Sequence, residues 1–223
     1  MSHSIKQKLL LITAISIAFA FIESSVVTYL RELFYPEGFH FPIKEIPHFL
    51  ILVELGREAA TIVLLLGLAF LAGHSQSERF AYFSLAFGVW DIFFYIWLKI
   101  LINWPESLFT WDILFLIPLP WTGPVISPVL VSLALIFAAC TILHYEEHRG
   151  RPFFLSRLGW LAEFFALVLI LWSYLWNAKN IGADESALDY PYSLFVSGLL
   201  LGVIIFAIHV WDQYFRQIRT SGI

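Results

Sequence analysis

The sequence predicts an all-α, polytopic membrane bundle of about six transmembrane helices, with a re-entrant or interfacial segment near 107–124. Three observations predict it. Of the 223 residues 60% are hydrophobic and only 13% charged, against about 25% charged in an average globular domain. Mean hydropathy is +0.79. Six apolar stretches approach the roughly 20 residues that a bilayer span requires, at about 9–30, 47–72, 80–103, 125–145, 158–177 and 191–213. No stretch between them is long enough for a second domain, so residues 1–223 form a single integral-membrane domain.

Segment one, 9–30, follows Lys6 and Lys8 and contains Ala18-Phe19-Ala20, a small-x-small pattern like that of signal-peptide cleavage. It is read as an uncleaved span. Segment two, 47–72, is unusual: Glu54, Arg57 and Glu58 lie inside an otherwise apolar run. Insertion scales put the cost of each such charge at a helix centre at about 2.5–3.5 kcal/mol. Residues that costly pair, line a cavity or bind something. Segment three, 80–103, presents Asp91, Tyr95 and Lys99 at i, i+4 and i+8, a continuous polar stripe.

Residues 107–124 include Ile113 to Trp121, apolar but short and interrupted by Pro118 and Pro120. A seventh span here would place Arg149, Arg151 and Arg157 on the outer side. A segment backed by protein fits better, because irregular backbone at membrane depth must be buried. Segment four, 125–145, ends in His144-Tyr145-Glu146-Glu147-His148, which has part of a zinc-helix spacing but lacks Glu after the first His. It reads as a solvated helix end. Segments five and six carry Glu163, His209, Asp212 and Gln213 near one interface, and Gly198-x-x-x-Gly202 allows a close helix approach, internal or between copies.

Lys and Arg set the orientation. An inside N-terminus leaves Lys6, Lys8, Arg79, Arg149, Arg151, Arg157, Arg216 and Arg219 cytoplasmic, against Arg31, Lys44 and Lys179 outside. Both termini are therefore expected in the cytoplasm, with a prokaryotic plasma (inner) membrane as the default location. Depth along the helices then gathers Glu23, Glu54, Arg57, Glu58, Asp91, Tyr95 and Lys99 in the outer half, with His48, His40 and Asp112 offered by outer loops.

Glu54, Glu58, Asp91 and Tyr95 are the candidate acid–base residues, and Glu23, Arg57, Lys99 and His48 the candidate ligand-binding ones. Arg57 would clamp an anionic head group or else neutralise its neighbours. A bundle di-metal site would need Glu-x-x-His on two helices; that is missing, and Arg57 between the glutamates repels a cation. His48 and His209 lie at opposite faces, which disfavours haem. No metal or other cofactor is assigned.

A single cysteine, Cys140, excludes an intrachain disulfide, and a thinly spread net charge of −4 excludes a nucleic-acid surface. Three function classes remain. The first is an intramembrane enzyme or binding protein for a lipidic or amphipathic ligand. The second is a non-catalytic subunit or scaffold that meets a membrane-protein partner or its own copy. The third is a proton- or ion-coupled transporter, which would need a polar route from Asp91 and Lys99 to Glu163 and His209.

Overall fold

The computed structural model describes residues 3–44, 46–180, 182 and 188–220; the side chains of Arg216 and Arg219 lie outside the described residues. Six helices follow the six apolar stretches: α1 (His3–Phe34), α2 (His48–Ala72), α3 (Gln76–Ile102), α4 (Ile126–Arg149), α5 (Arg157–Leu175) and α6 (Tyr192–Thr220). All except α2 are long and apolar enough by length and composition to cross a membrane. The chain is an all-α membrane bundle. α2, with 25 residues, would rise about 37 Å at 1.5 Å per residue, and its charged turn is what sets it apart.

Local chemistry fixes several ends. Ser75 caps α3 by accepting from the Glu78 backbone N–H at 3.0 Å, while Glu78 accepts from the His74 N–H at 2.7 Å. This reciprocal arrangement is close to a capping box. Ser156 caps α5 by accepting from Gly159 N–H at 3.0 Å. Asn103, at φ 52°, and Gly150, at φ 61°, end α3 and α4 in the left-handed conformation that closes helix C-termini.

The region 107–124 is non-helical and takes a form the sequence did not disclose. β1 (Trp111–Phe115) and β2 (Trp121–Pro124) pair antiparallel, with Asp112 opposite Gly123, Ile113 opposite Thr122, and an irregularity between Ile113 and Phe115. Trp111, Leu114 and Trp121 pack on Tyr174, Tyr190 and Phe195, so the hairpin rests on α5, α6 and the segment between them. Gly123 permits that approach: a Cβ there would lie 2.9 Å from the Tyr190 ring.

α3 is the hub, with α1, α2 and α4 packed on it, while α5 and α6 form a second closely packed pair. The main apolar core joins Ile12 and Ala20 of α1, Leu65 and Ala69 of α2, Tyr82, Leu85 and Ala86 of α3, and Ile142 and Tyr145 of α4. It occupies the end of the bundle away from the hairpin. There Lys8 donates to the Ala72 carbonyl at 2.8 Å and Gln213 to the Phe154 carbonyl at 2.6 Å. Gly198 and Gly202 face α5, where a Cβ would meet the Ala166 carbonyl at 2.9 Å and Glu163 Oε2 at 3.2 Å respectively. The Gly-x-x-x-Gly pair therefore serves internal packing.

Candidate functional site

At the hairpin end α1 and α2 flank α3, and β1 closes the space between them. The result is a cavity of about 160 Å³ lined by Glu23, Arg31, Glu54, Arg57, Glu58, Trp90, Asp91, Tyr95 and Asp112, with apolar walls from Val27, Phe94, Ile113 and their neighbours. Six of the eight residues singled out from sequence meet here: Glu23, Glu54, Arg57, Glu58, Asp91 and Tyr95. Helical periodicity delivers them. On α2 the buried stripe is Glu58, Thr61, Leu65 and Ala69, polar at the cavity and apolar beyond it.

Arg57 is the local bridge. Its Nε donates to Glu54 Oε2 at 2.9 Å, its Nη2 reaches the other Glu54 oxygen, and Nη1 pairs with Glu23 across from α1. Glu23, almost fully buried, also accepts from Thr61 Oγ1 at 2.8 Å. The guanidinium thus holds two carboxylates, which is the neutralising arrangement rather than the free anion clamp. Glu58 accepts from the Leu116 backbone N–H with both oxygens, at 3.1 and 2.9 Å. It thereby satisfies a donor that the short hairpin leaves outside its ladder. Asp91 accepts from Ser132 Oγ at 2.8 Å, linking α3 to α4.

The second cluster was not assembled from sequence. Arg31 Nη2 donates to Asp112 Oδ1 at 3.0 Å, and Tyr95 donates to Asp112 Oδ2 at 3.3 Å. The Arg31 guanidinium lies 3.6 Å from the Trp104 ring centroid and 4.4 Å from that of Phe39, within cation–π range of both. Burial pushes the Asp112 carboxyl up to about 6, with Arg31 pulling the other way. The apolar run of segment one stops near residue 30 and leaves Arg31 as a flanking charge in the sequence, whereas α1 continues to Phe34 and carries it into the cavity wall. The signal was present: Glu23, Val27 and Arg31 follow the same i, i+4, i+8 spacing as Asp91, Tyr95 and Lys99.

Lys99 and His48 stand outside this group. Lys99 donates to the carbonyls of Pro105 at 2.9 Å and Asn103 at 3.3 Å. An ammonium near a helix C-terminus is favoured by the carbonyls left unpaired there. His48 is exposed at the start of α2. At the opposite end of the bundle, His144 and His148 stack with ring centroids 4.0 Å apart, and His148 Nδ1 lies 2.9 Å from the His144 carbonyl. His209 lies between the Ser156 hydroxyl, at 3.0 Å, and the Ile205 carbonyl, at 2.8 Å. Among the described residues, no group of three or more His, Cys, Asp or Glu side chains is arranged to hold a metal ion.

Five carboxyl groups and two guanidiniums around one small cavity, all held by named partners, can fix the polar end of a ligand. They can also pass protons to it. No protein-family model, no curated protein and no solved structure matches the chain.

Proposed function

We propose that the protein binds the polar end of a lipidic or amphipathic ligand in this cavity, with Glu54, Glu58, Asp91 and Tyr95 placed for acid–base chemistry on it. The carrying observation is the cavity itself: charged groups from three helices converge on it between apolar walls. Sites for small ligands share this make-up, a concave and mainly apolar surface with a few convergent polar groups. Intramembrane charges carry a functional expectation for the same reason that they are rare, namely their cost. In this reading the hairpin end faces outward and both termini face the cytoplasm of a plasma (inner) membrane.

Asp91 is the favoured proton acceptor. Its bond from Ser132 is on Oδ2, whereas both oxygens of Glu54, Glu58 and Asp112 have named partners. Native mass spectrometry of gently extracted protein tests the reading. A small-molecule adduct retained by the wild type and lost in Glu58→Gln supports it; an adduct-free wild type removes it.

One observation favours a second reading, a non-catalytic subunit. The carboxyls are all engaged within the chain, and α2 leaves Leu52, Val63, Leu64, Phe70 and Leu71 exposed along its length. A co-purifying membrane protein without a small ligand would select it. Proton- or ion-coupled transport receives less support, because the second polar group, Glu163 with His209, belongs to the α5–α6 pair, while the cavity belongs to α1, α2, α3 and the hairpin.

A further inference from the structure

Outside the cavity, one pair of side chains has the geometry of an activated nucleophile. Ser156 and His209 meet where α5 begins against α6, at the end of the bundle away from the hairpin, with the serine hydroxyl 3.0 Å from His209 Nε2. His209 Nδ1 lies 2.8 Å from the Ile205 carbonyl. A carbonyl only accepts, so Nδ1 carries the proton of the neutral ring, and Nε2 keeps the lone pair that faces the hydroxyl. A nucleophile, a base and a third group that orients the base are the parts of a serine nucleophile.

Capping alone does not call for the imidazole. Ser156 caps α5 by accepting from the Gly159 N–H at 3.0 Å, and that bond leaves its own proton to donate. Gly159 makes room for the ring. A Cβ there would lie 2.5 Å from His209 Nε2 and Cε1, so another residue would drive the imidazole off the hydroxyl. Gln213, one turn beyond His209, fixes the segment leading to Ser156: its Nε2 donates to the Phe154 carbonyl at 2.6 Å and its Oε1 accepts from the Phe154 N–H at 3.4 Å. Glu163, one turn along α5 from Gly159, is near enough to His209 for their charges to interact and would favour the imidazolium.

The hydroxyl is also reachable, since Ser156, Arg157 and Leu158 are exposed. A helix leaves its first backbone N–H groups without partners inside the helix. Gly159 turns its own to Ser156 Oγ, and Trp160 to the Ser156 carbonyl. Those of Arg157 and Leu158 stand beside the hydroxyl at the positive pole of the α5 dipole, where a developing oxyanion is favoured. Trp160 and Trp211, 53% and 66% exposed, are the amphipathic rings found at the polar boundary of a bilayer.

We propose that Ser156 and His209 form a hydrolytic dyad that cleaves carboxylic esters of lipids at the bilayer boundary. Ser156 Oγ bonds to the acyl carbon as its proton passes to His209 Nε2. The ester C–O bond then breaks, the leaving alkoxide takes that proton, and the acyl group stays on Ser156. Water next bonds to the same carbon and gives a proton to Nε2. The acyl–Oγ bond breaks, Oγ recovers the proton, and the carboxylic acid leaves. This activity does not depend on a ligand in the cavity.

The test is an alkyl fluorophosphonate on the full-length protein in micelles, with the modified peptide mapped by mass spectrometry. An activated serine displaces the fluoride and keeps the phosphonyl group; an ordinary hydroxyl is too weak a nucleophile to do so. Stoichiometric labelling of Ser156 and hydrolysis of para-nitrophenyl octanoate are the expected results. His209→Gln removes the base and should slow both at least about 100-fold. Gly159→Ala, which keeps both side chains and displaces the ring, should slow labelling as well. Ser156→Asp retains a cap for α5, so it should lose labelling and hydrolysis at an unchanged unfolding temperature. Wild-type protein that leaves Ser156 unlabelled overturns the proposal, as does hydrolysis that persists in Ser156→Asp. Equal labelling rates in the wild type, His209→Gln and Gly159→Ala overturn the role of His209, and labelling without ester hydrolysis overturns the hydrolytic step.

Discussion

Replacing Asp112 by Ala leaves the Arg31 guanidinium between Trp104 and Phe39 without its counter-charge. Both partners are buried, with side chains 10% and 3% exposed, so the loss belongs with broken buried pairs, about 3–5 kcal/mol. Denaturant unfolding in mixed micelles should show it. The double variant Arg31→Met/Asp112→Leu should recover most of that loss, because it leaves no charge stranded. Asp112 also makes stability depend on pH. Burial holds its folded value at about 6, above the ordinary aspartate value of 3.8, so between these limits the folded chain binds this proton more strongly than the unfolded chain. The contribution of Asp112 is then full below about pH 4 and falls as pH rises towards 6. Unfolding curves of Asp112→Asn should lack that decline.

At the level of elements, α2 is a helix with one narrow inward face. Leu65 is 2% exposed and its neighbour Leu64 is 58% exposed. Leu65→Ala should cost about 2–5 kcal/mol, as core truncations do, whereas Leu64→Ala should stay within about 0.5 kcal/mol. The contrast, read by thermal unfolding, checks which face packs on the bundle. The contact of α3 with α4 is equally specific. A Cβ at Gly88 would lie 2.7 Å from the Ser132 carbonyl oxygen and 2.8 Å from Ile136 Cγ1. Gly88→Ala must push these helices apart, at about 1–3 kcal/mol for overpacking. It should also loosen the Asp91–Ser132 bond, so any ligand affinity should fall with stability.

For the whole molecule, the charge asymmetry of the loops makes a directional prediction. In a Cys140→Ala background, Glu106→Cys beside the hairpin should react with a membrane-impermeant maleimide from outside intact cells. Gln76→Cys, at the opposite end of the bundle, should react only after permeabilisation. Both positions are exposed. Reversed labelling would invert the orientation, and labelling of both from outside would remove it.

The helices were legible because a span needs a long apolar run, a property of composition alone; α1 and α3 to α6 sit on such runs, and α2 on one interrupted by Glu54, Arg57 and Glu58. Glu23, Glu54, Arg57, Glu58, Asp91 and Tyr95 were legible as one group because a charge in such a run is costly and helical spacing fixes its face. The hairpin was not legible. Its two strands are only five and four residues long, too short for alternation to stand out, and they are held by Tyr174, Tyr190 and Phe195 from distant sequence. Arg31 looked like a flanking cation until α1 proved to run on past residue 30 and Asp112 came to meet it. Whether Lys99 joined the cavity or capped its own helix depended on carbonyls that exist only once α3 has ended. Sequence by itself determined that the chain enters the bilayer and which residues cannot face lipid. Tertiary structure alone decided which of those residues satisfy one another, because long-range pairing depends on which helices become neighbours.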